Sequence, residues 1–367
     1  MSQFIWQNYR AVRAEFKLIK RTGTLPKFDS GRIRAELQGL GEALSKFADH
    51  RETLLKTLPL TPAFLDALQT VSIKFDVADT DIIDATIEGP WWVMTLCETF
   101  IMSILQEIHL EEVMKNSGYA EDALYEKIYL LNCTPEVKIV EFGTRRRASK
   151  QWQHEVVSKL LSECPENLVG TSNVALGVEL DLPVRGTMAH EIFMGVAALF
   201  DHSSMSLRGS QQVVLKQWYD MYGKQSGVAL TDTWGCKAFF TDWTEEQARG
   251  WGGYRHDSGS IEAFILAAYN FHLYHGVGKV GKELVFSNAL KVRDILKADE
   301  LSRERGFFPV MGWGTNLTCD VGMPGLDIVV KLTSVNGRPT VKLSDDVGKT
   351  LGPEKKVAFY RDTFNQY

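Results

Sequence analysis

Three arginines in succession, Arg145, Arg146 and Arg147, follow directly on an alternating apolar run, Ile139, Val140 and Phe142, that reads as a strand. Guanidinium groups are not buried without partners, because an uncompensated charge is expensive to desolvate. Either water or an anion must therefore meet them. Arg255 and Asp257 in "YRHDSGS" (254–260) and His190 in "GTMAHE" (186–191) stand in the same way, after a short apolar run and before a helix-like segment. A helix start offers N–H groups and dipole to an anion, although Asp257 or Ser258 is equally a plain N-cap. "GWGTN" (312–316) supplies glycines for a backbone nest or simply a tight turn. Lys342 and Lys349 follow in the next segment. Singly, each feature has an ordinary reading: solvated arginines and lysines, a structural histidine. Together they suit a phosphorylated small molecule, with a carboxylate for sugar hydroxyls or magnesium.

Several look-alike motifs fail on chemistry. "GVGKVGKE" (276–283) places Glu283 where a P-loop needs Ser or Thr, and it lies between a helix and a strand in the wrong order. "DVGKT" (346–350) has Leu343 at the first glycine position. "AHEIFM" (189–194) has Met194 where a zincin needs its second histidine. His272 and His275 share a helix face but lack a third ligand, and read as solvated or capping residues. No metal-ligating set is expected.

The elements that must hold these residues recur from residue 137 onward as apolar run, polar loop, helix. "VKIVEFG", "ENLVG", "VRGTMAH", "GVALTD", "GGYRHD", "KELVFSN" and "FFPVMGW" are the runs. About seven such units predict a closed or nearly closed α/β barrel whose loops after the strands form the active face. Ahead of it, residues 1–135 predict an α+β domain with a strand "VRAEFKLIK", charged helices and an apolar helix near 91–112. The barrel is expected over 136–325. Residues 326–367 contain strands about Asn336-Gly337, a type I′ hairpin signal, and are expected to pack partly on the first domain.

The 367 residues carry a formal net charge of −5, which argues against nucleic acid as a partner and makes the arginines a local positive site on an acidic chain. Five scattered cysteines without a C-x-x-C pair read as reduced thiols. The apolar stretch 91–105 carries Glu98 and is too short to span a bilayer. A soluble cytoplasmic protein, with no membrane partner, is the expectation.

In order and spacing, "EFGTRRRAS", "GTSN", "GTMAHE", "ALTDT", "RHDSG", "GWGTNLT" and "KLTSVNGRPTVKLSDDVGKT" resemble the signatures of the nicotinate phosphoribosyltransferase family, over most of the chain from "AEFKLIKRTG" onward. The resemblance implies an irregular α/β barrel of the type II phosphoribosyltransferase kind, working as a homodimer. It implies transfer of phosphoribosyl from 5-phosphoribosyl-1-pyrophosphate to nicotinate, with Mg2+, and ATP as co-substrate through a phosphohistidine at His190. Phe142 would stack on the pyridine, with Thr171 and Ser172 beside it. Ser172 stands where nicotinamide-using relatives carry an acid, which favours a carboxylate substrate. Arg255 would lie near the ring, and Asp257 and Asn288 near the ribose. Arg145 would meet phosphate, and Gly314 and Thr315 would cradle the 5-phosphate. Lys342 and Lys349 would reach phosphates. Three departures stand out: Asn288 and Ser260 replace aspartates, and "MSQF" opens the chain where the family has "LDTDxYKxTM", as though the start were truncated or misassigned. A related pyridine-base transferase, or a weakly active phosphoribosyl- or nucleotide-binding relative, are the competing expectations.

Overall fold

The computed structural model describes residues 1–21, 31–33, 35–36, 39, 51–70, 86–115, 118–346 and 348–364. The chain divides into two compact units. The first comprises 1–135, 140–185 and 313–331, and the second 136–139, 186–312 and 332–367. Ten strands are described. They are β1 (Arg13–Lys20), β2 (Thr86–Pro90), β3 (Ile139–Glu141), β4 (Leu168–Thr171), β5 (Val228–Leu230), β6 (Gly253–His256), β7 (Glu283–Phe286), β8 (Phe308–Trp313), β9 (Ile328–Val335) and β10 (Arg338–Pro339). Strands β3, β8 and β9 contribute residues to both units.

In the first unit β1 pairs antiparallel with β2, Phe16 opposite Ile87. Helix Trp91–Met114 packs against β1 and helix Ser2–Tyr9. The helix expected near 91–112 forms, and at 24 residues it is by length and composition long enough to cross a membrane, which the apolar stretch 91–105 alone is not. Its setting is that of a core helix: Gln106 is buried, accepts the Leu326 N–H at 2.9 Å and donates to Cys319 Sγ at 3.3 Å. Of the charged helices expected before it, Arg51–Thr57 and Pro62–Gln69 are described, the latter capped by Thr61 with proline in its first turn. The rest of those helices, and Thr22 and Gly23 of the quoted motif, lie outside the described residues.

The second unit is built on parallel strands in the order β8-β7-β6-β5, with Val228 opposite Gly253, Arg255 opposite Val285 and Phe286 opposite Met311. This register levels the C-terminal ends of the strands, so the residues just beyond them gather on one rim. Ligands bind on that side of parallel sheets. The α/β architecture is as expected, with one strand fewer than the sequence rhythm predicts. "VRGTMAH" forms no named strand and makes only a single parallel bridge, Val184 to Thr171. Pro183 lacks an N–H to extend the ladder, and Gly186 disfavours extended pairing. The hairpin forms as predicted, with Asn336 and Gly337 both at positive φ.

Two local expectations change. His272 is buried rather than solvated, sharing a 2.9 Å bond with the Tyr254 hydroxyl. Helix Ile261–Tyr274 is capped by Ser260, which accepts the Ala263 N–H, and not by Asp257 or Ser258. Serine is as good a cap as aspartate, so the departure at 260 does not weaken the helix and leaves Asp257 available for other work.

At Gly143 a side chain has no room: a Cβ would drive into the Thr318 side chain. Gly143→Ala is therefore expected to destabilise by about 1–3 kcal/mol, as overpacking does. Chemical denaturation of the two proteins checks this.

Candidate active site

In the second unit, His190 opens helix His190–Phe200 and is held at both ring nitrogens. Nδ1 lies 3.0 Å from Thr233 Oγ1 and Nε2 lies 3.0 Å from Asp257 Oδ2. A second carboxylate, Asp232 Oδ1, is 3.7 Å from Nε2. Asp257 is further bound through Oδ1, which accepts from Arg255 at 3.2 Å and from the Ser287 hydroxyl at 2.8 Å. Arg255 is itself fixed by Thr187 Oγ1, the Met188 carbonyl and Ser287 Oγ. Lys349 reaches the Asp257 carbonyl at 3.4 Å and Asn288 Oδ1 at 3.0 Å, and pairs with Asp346 at 2.5 Å. The structure thus brings together His190, Arg255, Asp257, Asn288 and Lys349. Lys342 is buried and its charge acts on both His190 and Asp257.

Burial alone would raise the Asp257 carboxyl, but Arg255, His190 and Lys342 hold it well below the usual range, so it is ionised. For His190 burial dominates and keeps the imidazole below its ordinary value, against the opposing pull of Asp232 and Asp257. The ring is therefore neutral near pH 7. An ionised carboxylate only accepts, so Nε2 carries the proton and Nδ1 accepts from the Thr233 hydroxyl.

This has a consequence for stability. Below about pH 6.5, the reference value for histidine, the unfolded chain takes up a proton that the folded chain refuses. Stability then falls as pH falls, and is flat in this respect above that point. Denaturation midpoints between pH 8 and pH 5.5 are expected to show the decline. In His190→Asn the slope should shrink without vanishing, since burial also lowers His256 and His272.

In the first unit the other candidates lie close to one another. The Phe142 N–H donates to the Trp313 carbonyl at 2.9 Å, and Gly314 sits against the Phe142 carbonyl. The Ser172 N–H donates to the Glu141 carbonyl at 2.8 Å, and Thr171 is buried beside it. Thr315 begins the short helix Thr315–Thr318.

The arginine triplet divides. Arg146 donates to the Ile328 carbonyl at 2.8 Å, and Arg147 to Glu107 at 2.8 Å and Gln153 at 3.1 Å. Of the three, only Arg145 is exposed, and it too pairs with Glu98 at 3.0 Å. The expectation that water or an anion meets all three is corrected: two hold the fold together, because a strand end packed on a long helix leaves carbonyls and carboxylates that need donors. Burial would raise Glu98, but Lys331 and Arg145 hold it below the usual value, so it remains a charged partner.

Asp232, Thr233 and Ser287 are not singled out by sequence reasoning, though Ser287 directly follows β7 and the other two lie just past the end of β5 in the same sheet. Applying the strand-end argument evenly to "ALTDT" and "VFSN" would have found them. Among the described residues, His190, Asp232 and Asp257 are the one group whose ligand atoms lie within 4.8 Å of one another. They fit a resident magnesium ion poorly. Magnesium prefers oxygen ligands in octahedral array, while both Asp257 oxygens are committed and the single carboxylate oxygen without a hydrogen bond is Asp232 Oδ1.

A model of the nicotinate phosphoribosyltransferase (NAPRTase) family matches residues 137–367. A nicotinate phosphoribosyltransferase of Burkholderia cenocepacia is 33% identical over 381 residues, covering 99% of this chain and 93% of that protein. The chain belongs to the nicotinate phosphoribosyltransferase family. Nicotinate phosphoribosyltransferase 1 of Pseudomonas aeruginosa is 34% identical, with coverage of 100% and 94%. Among solved structures, the nicotinate phosphoribosyltransferase of Porphyromonas gingivalis superposes with a TM-score of 0.87 at 26% identity, covering 99% of this chain and 96% of that one. That of Vibrio cholerae gives a TM-score of 0.87 at 29% identity, with coverage of 100% and 91%. The α/β architecture expected from the sequence is borne out by these likenesses.

Proposed function

We propose that this chain joins nicotinate to 5-phosphoribosyl-1-pyrophosphate, forming nicotinate mononucleotide and pyrophosphate in NAD biosynthesis, and that ATP hydrolysis drives the reaction through His190. The observation that carries the reading is the neutral His190 gripped between Thr233 and an ionised Asp257 that Arg255 holds in place. A neutral imidazole is the form whose lone pair, at Nδ1 here, can attack the γ-phosphorus of ATP as the bond to the bridging oxygen breaks and ADP leaves. The ring gains positive charge as it takes the phosphoryl group, and Asp257 and Asp232 stand beside Nε2 to stabilise it. Water later releases the phosphate and returns the neutral ring.

In the transfer itself the pyridine nitrogen forms its bond to the anomeric carbon as the carbon–oxygen bond to pyrophosphate breaks. The transition state is oxocarbenium-like, so the protein's part is to orient the partners and hold the leaving polyanion. Asp257 is assigned to the ribose hydroxyls, Arg255 to the base, and Lys342 and Lys349 to phosphates. Phe142, Thr171 and Ser172 of the first unit are assigned to the pyridine, with Arg145, Gly314 and Thr315 assigned to phosphate. Asn288 shares Lys349 with Asp346, so a carboxylate remains at that lysine despite the departure from the family aspartate. Magnesium enters with the phosphate substrates rather than as a resident ion. A cytoplasmic homodimer is the working form this reading adopts.

The deciding experiment is product formation from nicotinate, phosphoribosyl pyrophosphate and magnesium, with and without ATP, and with nicotinamide as a competing base. Nicotinate mononucleotide formed from nicotinate and enhanced by ATP is expected. Product from nicotinamide alone, or none from either base, would overturn the reading.

A further inference from the structure

Strand β3 carries an oddity in the first unit: Glu141 is completely buried, in an element whose other residues are apolar. A carboxylate there must be satisfied locally, and it is. Oε1 accepts the Gly143 backbone N–H and the Gln153 side-chain amide, the latter at 2.9 Å. Oε2 accepts the Thr171 hydroxyl at 2.6 Å.

The partners of those groups close a ring. Thr171 Oγ1 accepts the Asn173 N–H at 3.0 Å, and the Asn173 side-chain amide donates to Gln153 Oε1 at 3.1 Å. Gln153 also donates to Thr144 Oγ1 at 2.8 Å and accepts from Arg147. The Glu141 carbonyl takes the Ser172 N–H at 2.8 Å. The "EFGT" and "GTSN" turns are thereby tied to each other through the Glu141 and Gln153 side chains.

We infer that Glu141 is a positioning residue for recognition of the pyridine base, fixing Phe142 and Ser172 relative to each other without touching substrate itself. This rests on the assignment of those two residues to nicotinate. The physical logic is that a buried carboxylate with several donors is costly to leave partly unsatisfied, so the two turns share a single low-energy arrangement. Phe142 lies between the two residues that Glu141 holds, itself and Gly143, and Ser172 follows directly on Thr171. Both turns can shift only by breaking bonds to the same group. Burial pushes the Glu141 carboxyl up, and the bonds from Thr171, Gln153 and Gly143, with the Arg147 charge behind them, oppose that rise without overcoming it.

The test is steady-state kinetics of Glu141→Gln and Thr171→Val in the full chain. Glutamine keeps the shape but offers one acceptor oxygen in place of two, and valine removes the hydroxyl donor without changing volume. Both are expected to raise KM for nicotinate roughly tenfold, the loss of one hydrogen bond to a charged group. KM for phosphoribosyl pyrophosphate should stay within about twofold, and Glu141→Asp should recover little, because its shorter side chain cannot span both turns. A merely structural role would lower activity toward both substrates together. An equal loss for both, or an unchanged nicotinate KM in Thr171→Val, would overturn the inference. If Glu141→Gln does not fold, Gln153→Met, which removes a donor to Glu141 at a residue assigned to no substrate, decides by the same readout. Failure of the unsubstituted chain to use nicotinate would instead sink the functional assignment on which this rests.

Discussion

His190→Ala abolishes the acceleration of nicotinate mononucleotide formation by ATP and leaves the slow ATP-independent rate in place. The expectation follows from the ring's setting. His190 is kept neutral by burial, so a nitrogen lone pair is present near pH 7 without prior loss of a proton. Its two carboxylate neighbours do not make it cationic, but they stand ready to stabilise the charge that appears on phosphorylation. Alanine removes the nucleophile and none of the residues assigned to base or ribose. Rates measured with and without ATP, together with incorporation of label from γ-labelled ATP, check this. The unsubstituted chain should take up label that is stable to base and labile to acid, and the variant should take up none. An ATP effect that survives the substitution would place the nucleophile elsewhere.

Asp257→Asn is expected to have the larger effect on the transfer step itself, lowering kcat roughly 10²- to 10³-fold with or without ATP. The carboxylate is a hub. It accepts from Arg255 and Ser287 on one oxygen and from His190 on the other. Arg255 in particular holds it ionised despite its burial. Asparagine is nearly isosteric but presents an N–H₂ to one of those donors, and it cannot stabilise positive charge at the anomeric carbon. Ring orientation at His190 would also loosen. The pH profile separates the two contributions. In the unsubstituted chain activity should persist to low pH, because the Asp257 carboxyl protonates only well below the ordinary range. A kcat within about tenfold of the unsubstituted chain would show that Asp257 positions Arg255 and no more.

The two clusters differ in how they are made. The His190 set depends on strand register: β5, β6 and β7 end level, and Thr233, Asp257 and Ser287 lie just past those ends. The Glu141 set depends on one buried charge binding two turns. Either can be disturbed from a distance, the first by a slip in register and the second by loss of a single acceptor.

Much of this could be read along the chain. Alternating apolar runs closed by Gly, Thr and Ser, followed by amphipathic helices, require parallel strands with helices between them. The residues at strand ends then share a rim whatever their separation in sequence, which is why Arg255 and Asp257 were legible as candidates. The Asn336-Gly337 turn was legible because only positive φ at both positions matches the strand twist.

Other features were settled only by tertiary contacts. Whether an arginine faces solvent or a carbonyl depends on what packs against it, so Arg146 and Arg147 could not be told from Arg145 by sequence. The same holds for Glu98 in helix Trp91–Met114, a charge tolerated there because it meets Arg145 and Lys331. The neutrality of His190 and the ionisation of Asp257 arise from burial and from charges brought from distant segments. Sequence by itself determines which chemistries the chain carries and the order in which it presents them. Distances, desolvation and hydrogen-bond partners exist only once the chain has folded, and these decide which of those groups can act.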